Sequence, residues 1–177
     1  AITPVCWVSL DQAENDPVNF LAYLIASDQT QYEDLGDAIL NALRTPGAPP
    51  VRELLNAWVN EVSEHTKDFV LILDDFHQIQ NQAVTDLVCH LVAHQPSQLH
   101  LLIASRADLP FPCSRLRAQG SLIDLSIAEL RFTIDESTEY LKKELGDRIS
   151  KKDAEILSKR TEGWIAGLHM AILSMKS

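Results

Sequence analysis

Two periodicities alternate along the chain. Short runs of branched apolar residues, Val5 to Leu10 (VCWVSL), Phe69 to Leu73 (FVLIL) and Leu99 to Ala104 (LHLLIA), have the length and composition of strands. Between them the apolar positions switch to helical spacing. Phe20, Leu21, Leu24 and Ile25 mark one buried face, and Leu35, Ile39 and Leu43, four apart, mark a second. Val51, Leu54, Leu55, Trp58, Val59 and Val62 follow the i, i+3, i+4, i+7, i+8, i+11 pattern without a miss, and Val84, Leu87, Val88, Leu91 and Val92 form a fourth stripe. Strand and helix in alternation require crossover connections, which predicts an α/β domain with a parallel sheet.

Punctuation between these runs agrees with the pattern. Asp16-Pro17 reads as an N-cap with proline at the first helical position, and Thr45-Pro46-Gly47-Ala48-Pro49-Pro50 cannot continue any helix. A short helix is expected from Ser114 to Gln119, stopped by Gly120, and Leu122 to Leu125 reads as a weaker fourth strand. From Thr133 the strand signal disappears. Thr133 with Glu136 forms a capping box for a helix ending near Gly146, and Ser150 with Asp153 opens the next. A last helix from about Trp164 is expected to bury Trp164, Leu168, Ala171, Ile172 and Met175. The pattern change near Phe132 predicts an α/β sheet domain over 1–132 and a helical subdomain over 133–177.

Composition narrows the function classes. At 177 residues the chain amounts to about one domain with room for a smaller appendage. Its formal net charge is −10 with pI near 4.9, and Lys and Arg are dispersed. That argues against this segment gripping DNA or an anionic membrane, since both need a concentrated positive field. No apolar run approaches the roughly 20 residues that cross a bilayer, and the N-terminus lacks a signal-peptide layout, so a cytoplasmic protein is expected. Cys6, Cys89 and Cys113 are odd in number and widely spaced, as reduced thiols would be. The chain opens at Ala1 directly before a strand-like run, consistent with a fragment of something longer.

The stretch with chemical content is Phe69 to Asp75, FVLILDD. Its composition suits a strand buried on both faces that delivers Asp74 and Asp75 to its carboxyl end, where open α/β sheets bind ligands. That is where a P-loop ATPase handles a Mg-nucleotide, the Walker B position. The bland reading is a buried strand with an acidic exit, Asp75 serving as a helix cap. Ser105-Arg106 stands at the equivalent end of the next strand, where a guanidinium could reach a terminal phosphate; equally, Arg106 could be a surface cation or a partner of Asp108 or Asp75. His77 invites a metal-hydrolase reading with Asp74 and Asp75, but the chain has no further ligand cluster at suitable spacing. His90 and His94 lie four apart on a helix without an intervening H-E-x-x-H glutamate, which favours a solvated pair. Trp58 and Trp164 default to core packing, and Ser105 lacks a G-x-S-x-G setting. No G-x-x-x-x-G-K-[ST] occurs in these residues, and the six glycines do not cluster into another phosphate cradle.

CWVSLDQAENDPVNFLAYL, LILDDFHQI, LLIASRADLPFPCSRLRAQG, LRFT and EGWIAGLHMA, in that order, resemble the ATPase module of the large LuxR-family transcriptional activators of the maltose-regulator type. These belong to the signal-transduction ATPases with numerous domains. The resemblance spans nearly the whole chain. It implies a three-layer parallel sheet of the P-loop NTPase type, here missing its first strand and P-loop, followed by a small helical subdomain. Winged-helix, repeat-sensor and DNA-binding helix-turn-helix parts would lie outside this chain. It further implies that Asp74 helps hold Mg through water, that Asp75 orients or deprotonates the attacking water, and that Arg106 reads the γ-phosphate of ATP. The segment from Glu162 to Ala171 is similar to a helical-domain motif that packs near the nucleotide. In such a family ATP and an inducer shift a monomer toward a self-associated form, and hydrolysis resets it.

The absent P-loop makes the chain by itself an expected inert piece of a switch ATPase. Two other readings stay open: a nucleotide-independent interaction scaffold, and a metal-dependent hydrolase using Asp74, Asp75 and His77. In the implied strand order the missing strand lies between the Leu99 and Leu122 strands. Either these close up, or Leu122 to Leu125 detaches, or another molecule fills the gap, because unpaired backbone edges are costly unless covered.

Overall fold

The computed structural model describes residues 3–64 and 67–176, without the Asp147 side chain; residues 1, 2, 65, 66 and 177 lie outside the description. The chain divides into two compact units, Ala1–Pro112 and Cys113–Ser177, a division earlier in the chain than Phe132. The first has an open three-strand parallel sheet with helices, an α/β arrangement consistent with a truncated P-loop NTPase-like fold; the second is helical.

In the first unit the elements are β1 (Val5–Ser9), α1 (Pro17–Gln29), α2 (Asp37–Leu43), α3 (Val51–Ser63), β2 (Phe69–Asp74), α4 (Gln82–His94) and β3 (Leu99–Ile103). Local signals account for their limits. The Asp16 carboxylate accepts from the Val18 and Asn19 amides at 2.9 and 3.0 Å, starting α1, and the Asn81 side chain accepts from Ala83 N–H at 2.9 Å, starting α4. The strands pair in the order β1-β2-β3, with Val5 opposite Val70 and Phe69 opposite Leu99. Two right-handed crossovers stepping the same way along a sheet place their helices on one face. The core obeys this: Cys6, Val8, Phe69, Leu71, Leu73 and Leu99 pack with residues of α1, α3 and α4 such as Leu24, Trp58 and Leu91.

The alternate residues behave differently. Val5, Trp7 and Leu102 are exposed, Val70 and Ile72 are half-buried, and none belongs to a described core cluster. β2, expected to be buried on both faces, instead alternates buried and half-buried along its length. An apolar run cannot distinguish a covered second face from an uncovered one, since both demand the same residues of the chain.

One polar group sits in the middle of this core. Asp28, in the last turn of α1, is fully buried and accepts a 2.9 Å hydrogen bond from the Trp58 indole N–H, with Cys6 beside it on β1. Burial pushes its carboxyl up to about 7, and burial likewise pushes the Cys6 thiol up to about 12.

The second unit holds α5 (Ser114–Ala118), α6 (Ile127–Leu130), α7 (Ile134–Leu145), α8 (Lys151–Arg160) and α9 (Ile165–Lys176). Leu122 to Leu125 is not a strand: it runs without regular structure, with Ile123 and Leu125 exposed. A strand is held by its neighbour's ladder, and among the described residues β3 offers no ladder on its outer side. The short helix α6 was not expected, although its signal is present: Ser126 and Glu129 have capping-box spacing, and the Ser126 N–H donates to the Glu129 carboxylate at 2.7 Å. Thr133 and Glu136 form their box as expected, at 2.8 and 3.2 Å. The core is Leu141, Leu145, Ile149, Ala154, Leu168 and Ile172. Trp164 and Met175 do not join it, being 42% and 44% exposed.

Trp164 instead belongs to a surface junction. Arg131 lies 5.7 Å from the Trp164 ring centroid and 3.3 Å from the Glu162 carboxylate, and the Phe132 N–H donates to the Gly163 carbonyl at 2.9 Å. Gly163 has φ 75°, and a Cβ there would stand 2.2 Å from the Phe132 carbonyl oxygen. No side chain fits this junction.

Two measurements check these packing arguments. Asp28 binds its proton more tightly folded than unfolded, so the stability it contributes is full below about pH 3.8 and is lost as pH rises through about 7. Urea titrations between pH 4 and 8 should show this component, with a slope of up to about 1.4 kcal/mol per pH unit, and Asp28→Asn should remove it. Gly163→Ala should cost more than about 2 kcal/mol and loosen the second unit, read as faster amide exchange in α7 and α9. Wild-type stability in that variant would show the junction to be dispensable.

Candidate functional site

Parallel pairing sends the carboxyl ends of all three strands to one edge of the sheet. Three loops leave from there: Leu10 to Asp16 after β1, Asp75 to Asn81 after β2, and Ala104 onward after β3. Their backbones are already stitched together. Leu10 N–H donates to the Asp74 carbonyl at 3.0 Å, Ala104 N–H to the Leu73 carbonyl at 2.9 Å, and Phe76 N–H to the Ala104 carbonyl at 3.0 Å.

Asp74 ends β2, and its Oδ1 accepts from the Asp75 N–H at 2.8 Å. Asp75 then takes the left-handed conformation, φ 54° and ψ 36°, which is unfavourable for most side chains and tolerated by Asp. The turn swings its carboxylate toward β3. The Arg106 Nε lies 3.7 Å from Asp75 Oδ1, and His77 Nδ1 lies 3.7 Å from the same oxygen. The His77 Nδ1 is itself buried and has no hydrogen-bond partner. The Arg106 side chain is 81% exposed and Asp75 41%, so this is a solvent-facing ion pair of the kind that adds little to stability. Ser105 turns inward on its own loop, its hydroxyl donating to the Ala107 carbonyl at 2.7 Å.

The structure therefore brings Asp74, Asp75, His77 and Arg106 to one mouth. It does not bring the others. His90, half-buried, sits between Arg52 and Asn56 on the outer surface of α3 and α4, its ring 4.1 Å from that of His94. Burial is the first cause holding the His90 imidazole below its ordinary value, followed by His94 and Arg52. Trp58 is in the core, as its helical position implied.

Among the described residues no group of three or more His, Cys, Asp or Glu side chains could hold a metal ion, so the hydrolase built on Asp74, Asp75 and His77 lacks a ligand set. A Mg ion shared with phosphates asks less of a protein, one or two carboxylates, and Asp74 keeps its second oxygen for that. The fit to a Mg-nucleotide is nevertheless partial. The residues supply carboxylates and a guanidinium, whereas the backbone cradle that grips the phosphates is not among them. No hydrolytic step is assigned to this chain alone.

A residue that the sequence did not single out also stands at the mouth. Asn15, in the β1 loop, makes four hydrogen bonds to the Asp75–Asn81 loop. Its only advance notice was its place immediately before the Asp16-Pro17 cap, a spot where a polar side chain is unremarkable.

No protein-family model matches the chain. It is 27% identical over 172 residues to the serine/threonine-protein kinase PknK of Mycobacterium tuberculosis, covering 97% of this chain and 16% of that protein. It is 28% identical over 173 residues to the HTH-type transcriptional regulator MalT of Yersinia enterocolitica, and 27% identical over 172 residues to MalT of Serratia proteamaculans. These two alignments cover 96% of this chain and 19% of each relative. The chain thus spans less than a fifth of the length of the curated relatives it matches, and it is similar to one region of large regulatory proteins.

Proposed function

We propose that this chain is part of the switch-ATPase region of an ATP-dependent transcriptional regulator acting in the cytoplasm. The observation that carries the reading is the convergence of Asp75 and Arg106, 3.7 Å apart, from the carboxyl ends of neighbouring parallel strands. The similarity to the MalT regulators over nearly the whole chain supports it. In this reading Asp74 holds Mg through water, Asp75 orients the attacking water, and Arg106 leaves the Asp75 carboxylate for the γ-phosphate. A guanidinium that is mostly solvated and loosely paired is free to make that exchange. ATP and an inducer then favour a self-associating form through their unequal affinity for the two states, and DNA is bound by another domain.

A second reading, a nucleotide-independent interaction scaffold, has one observation in its favour, the exposed Val5, Trp7 and Leu102 on the uncovered sheet face. Nucleotide chemistry separates the two.

Calorimetry of this chain with Mg-ATP should detect no micromolar binding, because the cradle is missing; micromolar affinity would overturn the partial-site account. In a longer protein that places a P-loop ahead of β1, Arg106→Ala should lower ATP turnover by at least about tenfold, and Asp75→Asn by about a hundredfold. Turnover unchanged by both substitutions would sink the ATPase reading and leave the scaffold.

A further inference from the structure

Asn15 closes the 3-10 turn Ala13–Asn15 in the β1 loop. Its side chain reaches across to the β2 loop and satisfies three backbone groups there. The amide Nδ2 donates to the Gln78 carbonyl at 3.0 Å, and Oδ1 accepts from the Gln80 and Asn81 N–H groups at 2.6 and 3.0 Å. The Asn81 side chain returns a bond to the Asn15 carbonyl at 2.8 Å. An amide, with a donor and a two-lone-pair acceptor on one planar group, can serve a carbonyl and two N–H groups at once without a change of charge.

These bonds bear on Asp75 through the backbone. Gln78 N–H donates to the Asp75 carbonyl at 2.9 Å, closing the 3-10 turn Phe76–Gln78 directly after Asp75, and Asn15 grips the far end of that turn. The near end is tied to β3 by Phe76 N–H and the Ala104 carbonyl. A left-handed aspartate persists only when its surroundings hold it, and these two anchors act together with the Asp75 N–H bond to Asp74 Oδ1 and the buried Phe76 and Ile79 side chains.

We propose that Asn15 is a positioning residue for the carboxylate loop: by clamping residues 78–81 it keeps Asp75 in the left-handed conformation that turns its carboxylate toward Arg106. The functional weight of this rests on the reading of that mouth as a nucleotide site; the clamp itself does not. It gives the Asn15-Asp16-Pro17 tripeptide two separate tasks, since Asp16 caps α1 while Asn15 serves the neighbouring strand's loop.

The test is amide NMR of this chain carrying Asn15→Ala and, separately, Asn15→Asp, which keeps the acceptor and loses the donor. In Asn15→Ala the Gln80 and Asn81 amides should exchange at least about tenfold faster, while the Val70 to Leu73 amides keep their protection. The readout that a merely structural role would not move is Asp75 itself: its HN–Hα coupling and chemical shifts should leave the left-handed range in Asn15→Ala and move part of the way in the same direction in Asn15→Asp, which loses only the bond to the Gln78 carbonyl. An Asp75 signature unchanged while Gln80 and Asn81 exchange faster overturns the proposal and reduces Asn15 to a fastening for α4. If Asn15→Ala does not fold, Asn15→Asp decides: faster exchange within Phe76–Gln78 with a shifted Asp75 supports the clamp, and a wild-type Asp75 refutes it. No nucleotide enters the measurement, so a failed ATPase reading and a failed clamp give different results.

Discussion

Parallel pairing of β1, β2 and β3 in chain order is the constraint that sets the layout of the first unit. Parallel strands share a polarity, so every strand exit lies on one edge, and the residues after Leu10, Leu73 and Ile103 meet there whatever their identity. The same order puts both crossovers on one face, which gathers α1, α3 and α4 over Cys6, Leu71, Leu73 and Leu99. A third consequence is the face left over, where Val5, Trp7 and Leu102 meet solvent. Site, core and uncovered face are thus one topological fact seen from three sides.

Packing on the covered face is not purely apolar. Asp28 lies between α1, α3 and β1 with the Trp58 indole as its hydrogen-bond donor, and one of its oxygens, Oδ1, has no partner. A carboxylate so placed would carry a buried, half-satisfied charge, so the neutral acid is the favoured form until the pH approaches 7. The cluster is remote from the strand exits. Its chemistry belongs to the stability of the first unit rather than to the mouth, where Asp75 and Arg106 are both solvated.

The site was legible where chemistry is local and illegible where it depends on reach. Asp74 and Asp75 were readable because an apolar run ending in two acids places them at a strand exit in any parallel sheet. Arg106 was readable as a candidate on the same ground, but nothing in its neighbours chose between Asp75, Asp108 and open solvent; the left-handed turn at Asp75 decided that. Asn15 could not be found, since its partners lie more than sixty residues on, at Gln78, Gln80 and Asn81. Leu122 to Leu125 was misread for a related reason. Its residues suit a strand, and whether they form one is a property of the adjacent edge.

The amino-acid sequence alone determined the class of architecture, the starts of α1, α7 and α8 and the polarity of the strands, because periodicity, caps at Asp16, Thr133 and Ser150, and crossover length act within a few residues of themselves. Tertiary structure decided which face of the sheet is covered, that Trp164 stays out of the core, and that Asp75 faces Arg106. Each of these depends on which backbone groups and surfaces find partners across the fold, and a pattern along the chain carries no record of what stands opposite.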